Sequence, residues 1–133
     1  MKRVFADTFY FLALLNPGDQ AHSRAIVAAC SFQGELVTTC WVLTELADAM
    51  SSPPNRNEFI STLNDLRTSP QVRIYEPEPQ LYQQGIQLFA DRSDKHWSLT
   101  DCISFVVMKQ EGISEALTGD RHFEQAGFVA LLK

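Results

Sequence analysis

"EALTGDRHF", residues 115–123, decides the fold. The apolar run of Ala116 and Leu117 reads as a strand, Gly119 and Asp120 break it, and a helical stretch opens at once. A strand that passes directly into a helix, with an acid at the junction, is the signature of a βαβ unit. The same junction occurs at the other end of the chain. "RVFA" (3–6) is a strand, Asp7 follows it, and "TFYFLALL" (8–15) is helical.

Working outward from these two junctions, strands and helices alternate along the whole chain. "NPGDQ" separates the first helix from a second through "AHSRAIVAAC". "ELVTT" (35–39) is a strand, and "CWVLTELADAM" a helix with an apolar stripe at Val42, Leu43, Leu46, Ala49 and Met50. "SSPPN" ends it, and the next helix carries Phe59, Ile60, Leu63 and Leu66, a stripe expected to face the core, with part of it available as a dimer face or a partner's groove. "VRIY" (72–75) is the third strand. "PQLYQQGIQLFA" is helical by the spacing of Leu81, Tyr82, Gly85, Ile86 and Phe89. The polar loop "DRSDKHW" leads to the helix "LTDCISFVVMKQ", the strand "EALT", the short helix "RHFEQ" and a last strand, "FVALL". Such alternation predicts an α/β fold: a three-layer α/β/α sandwich with a central, mainly parallel sheet, in one domain spanning residues 1–133.

Composition narrows the chemistry. A chain of 133 residues buries about two-thirds of its unfolded surface and needs no covalent staple. Cys30, Cys40 and Cys102 are odd in number and lack CxxC spacing, which argues against a disulfide framework or a zinc site and for reduced thiols in the cytoplasm. The opening "MKRVFADTFYFLALL" imitates a secretion signal, but Asp7 interrupts it and no small-residue cleavage site follows. No uncharged apolar stretch approaches the roughly 20 residues of a membrane span, so a soluble protein is expected. The net charge of −5 speaks against nucleic-acid binding unless cations offset it.

In parallel sheets ligands bind beyond the carboxyl ends of the strands. Asp7 and Asp120 follow strands, Glu45 lies one helical turn beyond "ELVTT", and Asp101 sits in the first turn of the helix before the fourth strand. All four are therefore expected at one edge of the sheet. Each also has a plainer role. Asp7 and Asp120 fit helix caps, and "SLTD" fits a capping box with Ser98 at the cap and Asp101 three residues on. Glu45 is harder to explain that way, because it borders an apolar stripe; Asp48, further round, is the solvent-facing acid of that helix.

Clustered carboxylates repel. Two charges ~4 Å apart at an effective dielectric of about 20 cost roughly 4 kcal/mol, so the cluster needs cations or protons. His22, His96 and His122 do not pair with one another at ligand spacing, which leaves an all-oxygen set suited to Mg²⁺, with Mn²⁺ as a substitute. Such ions activate water for phosphodiester hydrolysis.

With those residues in place, the chain resembles the PIN domains of the VapC type, ribonuclease toxins of toxin–antitoxin pairs. The similarity spans the whole length: "VFADTFYFLALLN", "TTCWVLTELADAM", "WSLTDCISFVVMKQEGI" and "EALTGDRHFEQAGF" match the four acidic motifs in order. The resemblance implies metal-binding acids at Asp7, Glu45, Asp101 and Asp120. Asp7 and Asp101 would be main ligands, Glu45 and Asp120 ligands or water-positioning groups. It further implies a Mg²⁺-dependent endoribonuclease leaving 5′-phosphate and 3′-hydroxyl ends, an RNA substrate, a homodimer, and an antitoxin protein that blocks the site. One departure stands out: family members often carry a small polar residue where this chain has Phe9.

Arg121, next to Asp120, is a weaker candidate for contact with an RNA phosphate. Thr8 and Thr118 lie near enough to orient carboxylates but are set aside, since a hydroxyl at a strand end more often bonds to backbone. His96 and Trp97 could stack on a base, although Trp97 is better suited to packing where the loop re-enters the core. Two other readings compete: a catalytically inactive PIN-like module that engages a partner protein or RNA, and a phosphoryl-acceptor domain. The second fits poorly, because no aspartate stands two residues after Asp7 or at the end of "VRIY".

Overall fold

Five short strands form one sheet: β1 (Arg3–Ala6), β2 (Glu35–Thr39), β3 (Val72–Tyr75), β4 (Glu115–Leu117) and β5 (Val129–Ala130). A computed structural model describes residues 2–133. The strand order is β3-β2-β1-β4-β5, and every pairing is parallel. The first strand in sequence thus lies at the centre, with Phe5 opposite Val37 on one side and Ala116 on the other. Chain direction across the sheet reverses after β3, and the crevice at such a reversal is where α/β sheets bind ligands.

The helices are α1 (Thr8–Leu15), α2 (His22–Ser31), α3 (Cys40–Ala49), α4 (Pro53–Thr68), α5 (Pro79–Asp91), α6 (Leu99–Glu111) and α7 (Arg121–Gln125). Prolines open α4 and α5, where a missing N–H costs nothing. α1 is apolar nearly all round and is correspondingly buried through Tyr10, Phe11 and Ala13. α1 packs on α2, α5 on α6, and α3 touches both α1 and α6, linking the two helical layers.

α6 is pinned at both ends. Ser98 and Asp101 close a capping box at its start, and Gly112 ends it in the left-handed conformation at φ 67°. At its last turn Glu111 accepts from Arg3 at 2.6 Å, from Arg73 at 3.2 Å and from the Tyr75 hydroxyl. These partners hold Glu111 below the usual carboxylate range, while burial and the same contact push the Tyr75 phenol up to about 12. α6 is thereby braced against β1 and β3.

Several expectations need correction. The last strand is shorter than "FVALL", although the main chain still follows β4 through Leu131 N–H to Ala116 O at 2.9 Å and Leu132 N–H to Thr118 O at 3.0 Å. In α3, Ala49 is exposed. No residue of α4 is fully buried; Phe59, Leu63 and Leu66 are half-buried and Ile60 is 52% exposed. In α5, Tyr82 and Phe89 lie outside the core. An outer-layer helix with one packed neighbour buries only a narrow strip, and the wide stripes predicted from sequence exceed it.

Candidate active site

Asp7, Glu45, Asp101 and Asp120 all line one cleft of about 380 Å³ at the carboxyl ends of β1 and β4, together with Thr8, Phe9, Ser98, His96 and His122. No lysine or arginine is among the lining residues; the basic groups there are the imidazoles of His96 and His122. Asp7 and Asp101 are buried, at 5% and 8% exposure.

Asp7 occupies the cap position of α1 but makes no capping bond with its side chain. Instead the buried Thr118 hydroxyl donates to its Oδ2 at 2.8 Å. The same hydroxyl accepts from the Asp120 N–H at 3.1 Å, so one threonine fixes two of the acids. Burial raises the Asp7 carboxyl to about 7, against the lowering effect of the Thr118 bond, and the charges of Asp101 and Glu45 add to the rise. Its proton is thus poised near neutrality.

Glu45 accepts from the Thr8 hydroxyl. Both threonines set aside on sequence grounds therefore hold carboxylates. The signal that would have found them is their position: each stands beside a strand-end acid, one residue after Asp7 and two before Asp120.

Asp101 and Asp120 keep their capping roles as well. Asp101 Oδ2 accepts from Ser98 N–H at 3.1 Å, and Asp120 Oδ1 accepts from His122 N–H at 2.9 Å. Burial raises the Asp101 carboxyl, with the charge of Asp120 contributing. Capping and clustering are compatible because each carboxylate has lone pairs to spare.

His122 is the residue the sequence reading missed. Among the described residues, Asp101, Asp120 and His122 form a group whose ligand atoms lie within 4.8 Å of one another; Asp7 and Glu45 do not join that set. Searching for histidines spaced against each other overlooked one that pairs with acids. Arg121, in contrast, is exposed, makes no hydrogen bond or ion pair among the described residues, and is not among those lining the cleft.

An aromatic chain sets the spacing of the acids. Phe123 packs 6.3 Å from Phe5 and edge-on, 4.9 Å, against Phe105, which meets Trp97 edge-on at 5.0 Å. These rings join β1, α7, α6 and the loop before α6, the segments that carry Asp7, Asp120 and Asp101. Trp97 is buried there and donates to Gln125 at 3.0 Å, a packing role. Gly119 has no positive φ, so it is not needed for a turn. A Cβ there would lie 2.5 Å from the Phe9 ring, and the missing side chain makes room for that ring rather than for the acids.

The donor set fits a divalent cation. Buried and half-buried carboxylates without a lysine or arginine partner, one of them pushed toward neutrality, are stabilised by an ion of charge +2. Bound there, such an ion supplies a polarised water and charge stabilisation for a phosphodiester.

The family model described as "PIN domain" matches residues 4–129. The 23S rRNA-specific endonuclease VapC20 of Mycobacterium tuberculosis is 29% identical over 126 residues, covering 95% of each chain. The crystal structure of that VapC20, a Sarcin-Ricin loop cleaving toxin, superimposes with a TM-score of 0.86 at 28% identity, covering 95% of this chain and 96% of that one. FitAcB from Neisseria gonorrhoeae matches with a TM-score of 0.65 at 20% identity over 96% of this chain and 94% of its own, a likeness of fold.

Proposed function

The chain belongs to the PIN domain family, and from that premise we propose that it is a metal-dependent endoribonuclease, the toxin of a toxin–antitoxin pair. The observation that carries the reading is the meeting of Asp7, Glu45, Asp101 and Asp120 in a single cleft lined by no lysine or arginine. Similarity to an endonuclease over nearly the full length of both chains supports RNA as the substrate.

The four acids would hold the cation, a divalent ion such as Mg²⁺ or Mn²⁺. Thr118 holds Asp7 and the Asp120 main chain, Thr8 holds Glu45 and Ser98 N–H holds Asp101, so all four are oriented before any ion arrives. The polar environment is fixed in advance, which is what electrostatic catalysis requires. Asp7, with its carboxyl near 7, gives up its proton on metal binding.

A partner antitoxin that covers the cleft, and a homodimer, complete the proposal. The exposed Ile60 and half-buried Phe59 and Leu63 of α4, beside an apolar cavity of about 270 Å³ against α3, give a protein partner apolar surface to cover.

Asp7→Asn and Asp101→Asn should each abolish cleavage of RNA while leaving the circular dichroism spectrum unchanged. Undiminished cleavage by both variants would sink the assignment. A folded wild type that binds RNA and cuts none would favour the inactive binding module instead.

A further inference from the structure

The His122 ring stands where neither capping nor core packing accounts for it. Its Nδ1 lies 3.2 Å from Asp101 Oδ2 and 3.4 Å from Asp120 Oδ1. Both oxygens already accept a main-chain N–H, from Ser98 and from His122 itself. The 3.2 Å contact is at the long end of an N–H···O hydrogen bond, and the ring nitrogen is nearly equidistant from the two carboxylates rather than committed to one of them. Donors bound at ~2.1 Å and at right angles around one ion, on the other hand, stand about 3 Å apart. The nitrogen stands at nearly that spacing from each oxygen, and the ligand atoms of the three residues lie within 4.8 Å of one another.

The nitrogen is also held in place beforehand. The His122 main chain is bonded to Asp120, and the next residue, Phe123, is fully buried against Phe5 and Phe105. We propose that His122 ligates the metal through Nδ1 beside Asp101 and Asp120, which makes the centre a mixed nitrogen–oxygen site that takes Mn²⁺ in preference to Mg²⁺. The inference rests on the reading above that the cleft holds a divalent cation. Mg²⁺ is bound almost wholly by oxygen, whereas imidazole suits transition ions, so one nitrogen ligand is enough to tilt the selection.

Pulsed electron paramagnetic resonance of the untagged, Mn²⁺-loaded protein tests this directly. The wild type should show coupling to a directly bound ¹⁴N, which His122→Gln removes and His22→Gln and His96→Gln retain. The chain has only three histidines, so survival of the signal in the latter two variants assigns it even if His122→Gln does not fold. By calorimetry, His122→Gln should weaken Mn²⁺ binding by about tenfold or more and Mg²⁺ binding by less than about threefold. Absence of Mn²⁺ binding, a wild-type spectrum without nitrogen coupling, or coupling that persists in His122→Gln overturns the assignment. RNA cleavage by the wild type, and its loss in Asp7→Asn, report separately on the nuclease reading.

Discussion

Asp7 is under two opposing demands: a buried position disfavours its charge, and the cation binding proposed for it requires that charge. In the metal-free protein its raised carboxyl, near 7, means that the folded state keeps a proton the unfolded chain has released above its ordinary value of 3.8. Folding is then favoured at the acid end of that interval, and stability falls as pH rises from about 4 to about 7, with Asp101 acting in the same direction. The metal-free protein should melt at a higher temperature at pH 5 than at pH 8, and saturating Mn²⁺ should shrink the gap; scanning calorimetry at both pH values measures it. For the same reason Asp7→Asn should leave metal-free stability equal or higher while cleavage is lost. Thr118→Val removes the hydroxyl that holds Asp7 and the Asp120 main chain. It should cost about 1–2 kcal/mol in urea unfolding and weaken metal binding, and Thr118→Ser should restore both.

At the scale of elements, most boundaries were legible in the sequence because local signals coincided with the fold. "RVFA", "ELVTT", "VRIY" and "TFYFLALL" are strands and a helix to the residue, since each apolar run is bounded by a polar or turn-forming residue. That the four acids would meet at one edge of the sheet was legible from Asp7 and Asp120 after strands, Glu45 one turn beyond a strand and Asp101 at a helix start. What escaped was set by contacts between elements far apart in sequence: Thr118 reaching Asp7, the His122 ring meeting Asp101, and the Phe9 ring over Gly119. Tight packing of α5 on α6 is another such contact. A Cβ on Gly85 would lie 2.3 Å from Ile103 Cγ1, in fully buried surroundings. Gly85→Ala should therefore destabilise the protein by about 1–3 kcal/mol, read from the shift in urea midpoint at constant slope.

Across the whole molecule, the sheet places the four acids of the cleft on one rim and the Glu111 brace at the opposite end of α6. Divalent metal should stabilise the entire fold, because the cleft draws on β1, α3, α6 and the β4–α7 junction together. At about 100 times the dissociation constant the gain is about 2.7 kcal/mol, and thermal melts with and without Mn²⁺ measure it. None of the helices among the described residues is long and apolar enough to cross a membrane. The central position of β1 has a further consequence, for synthesis. β1 is made well before β4, yet one of its two edges is closed only by β4, whose residues are more than a hundred positions later. Asp120 follows β4, so an unfinished chain has neither a closed central strand nor a complete set of acids. A chain wired this way cannot assemble its cleft on the ribosome that is making it until β4 and Asp120 have emerged.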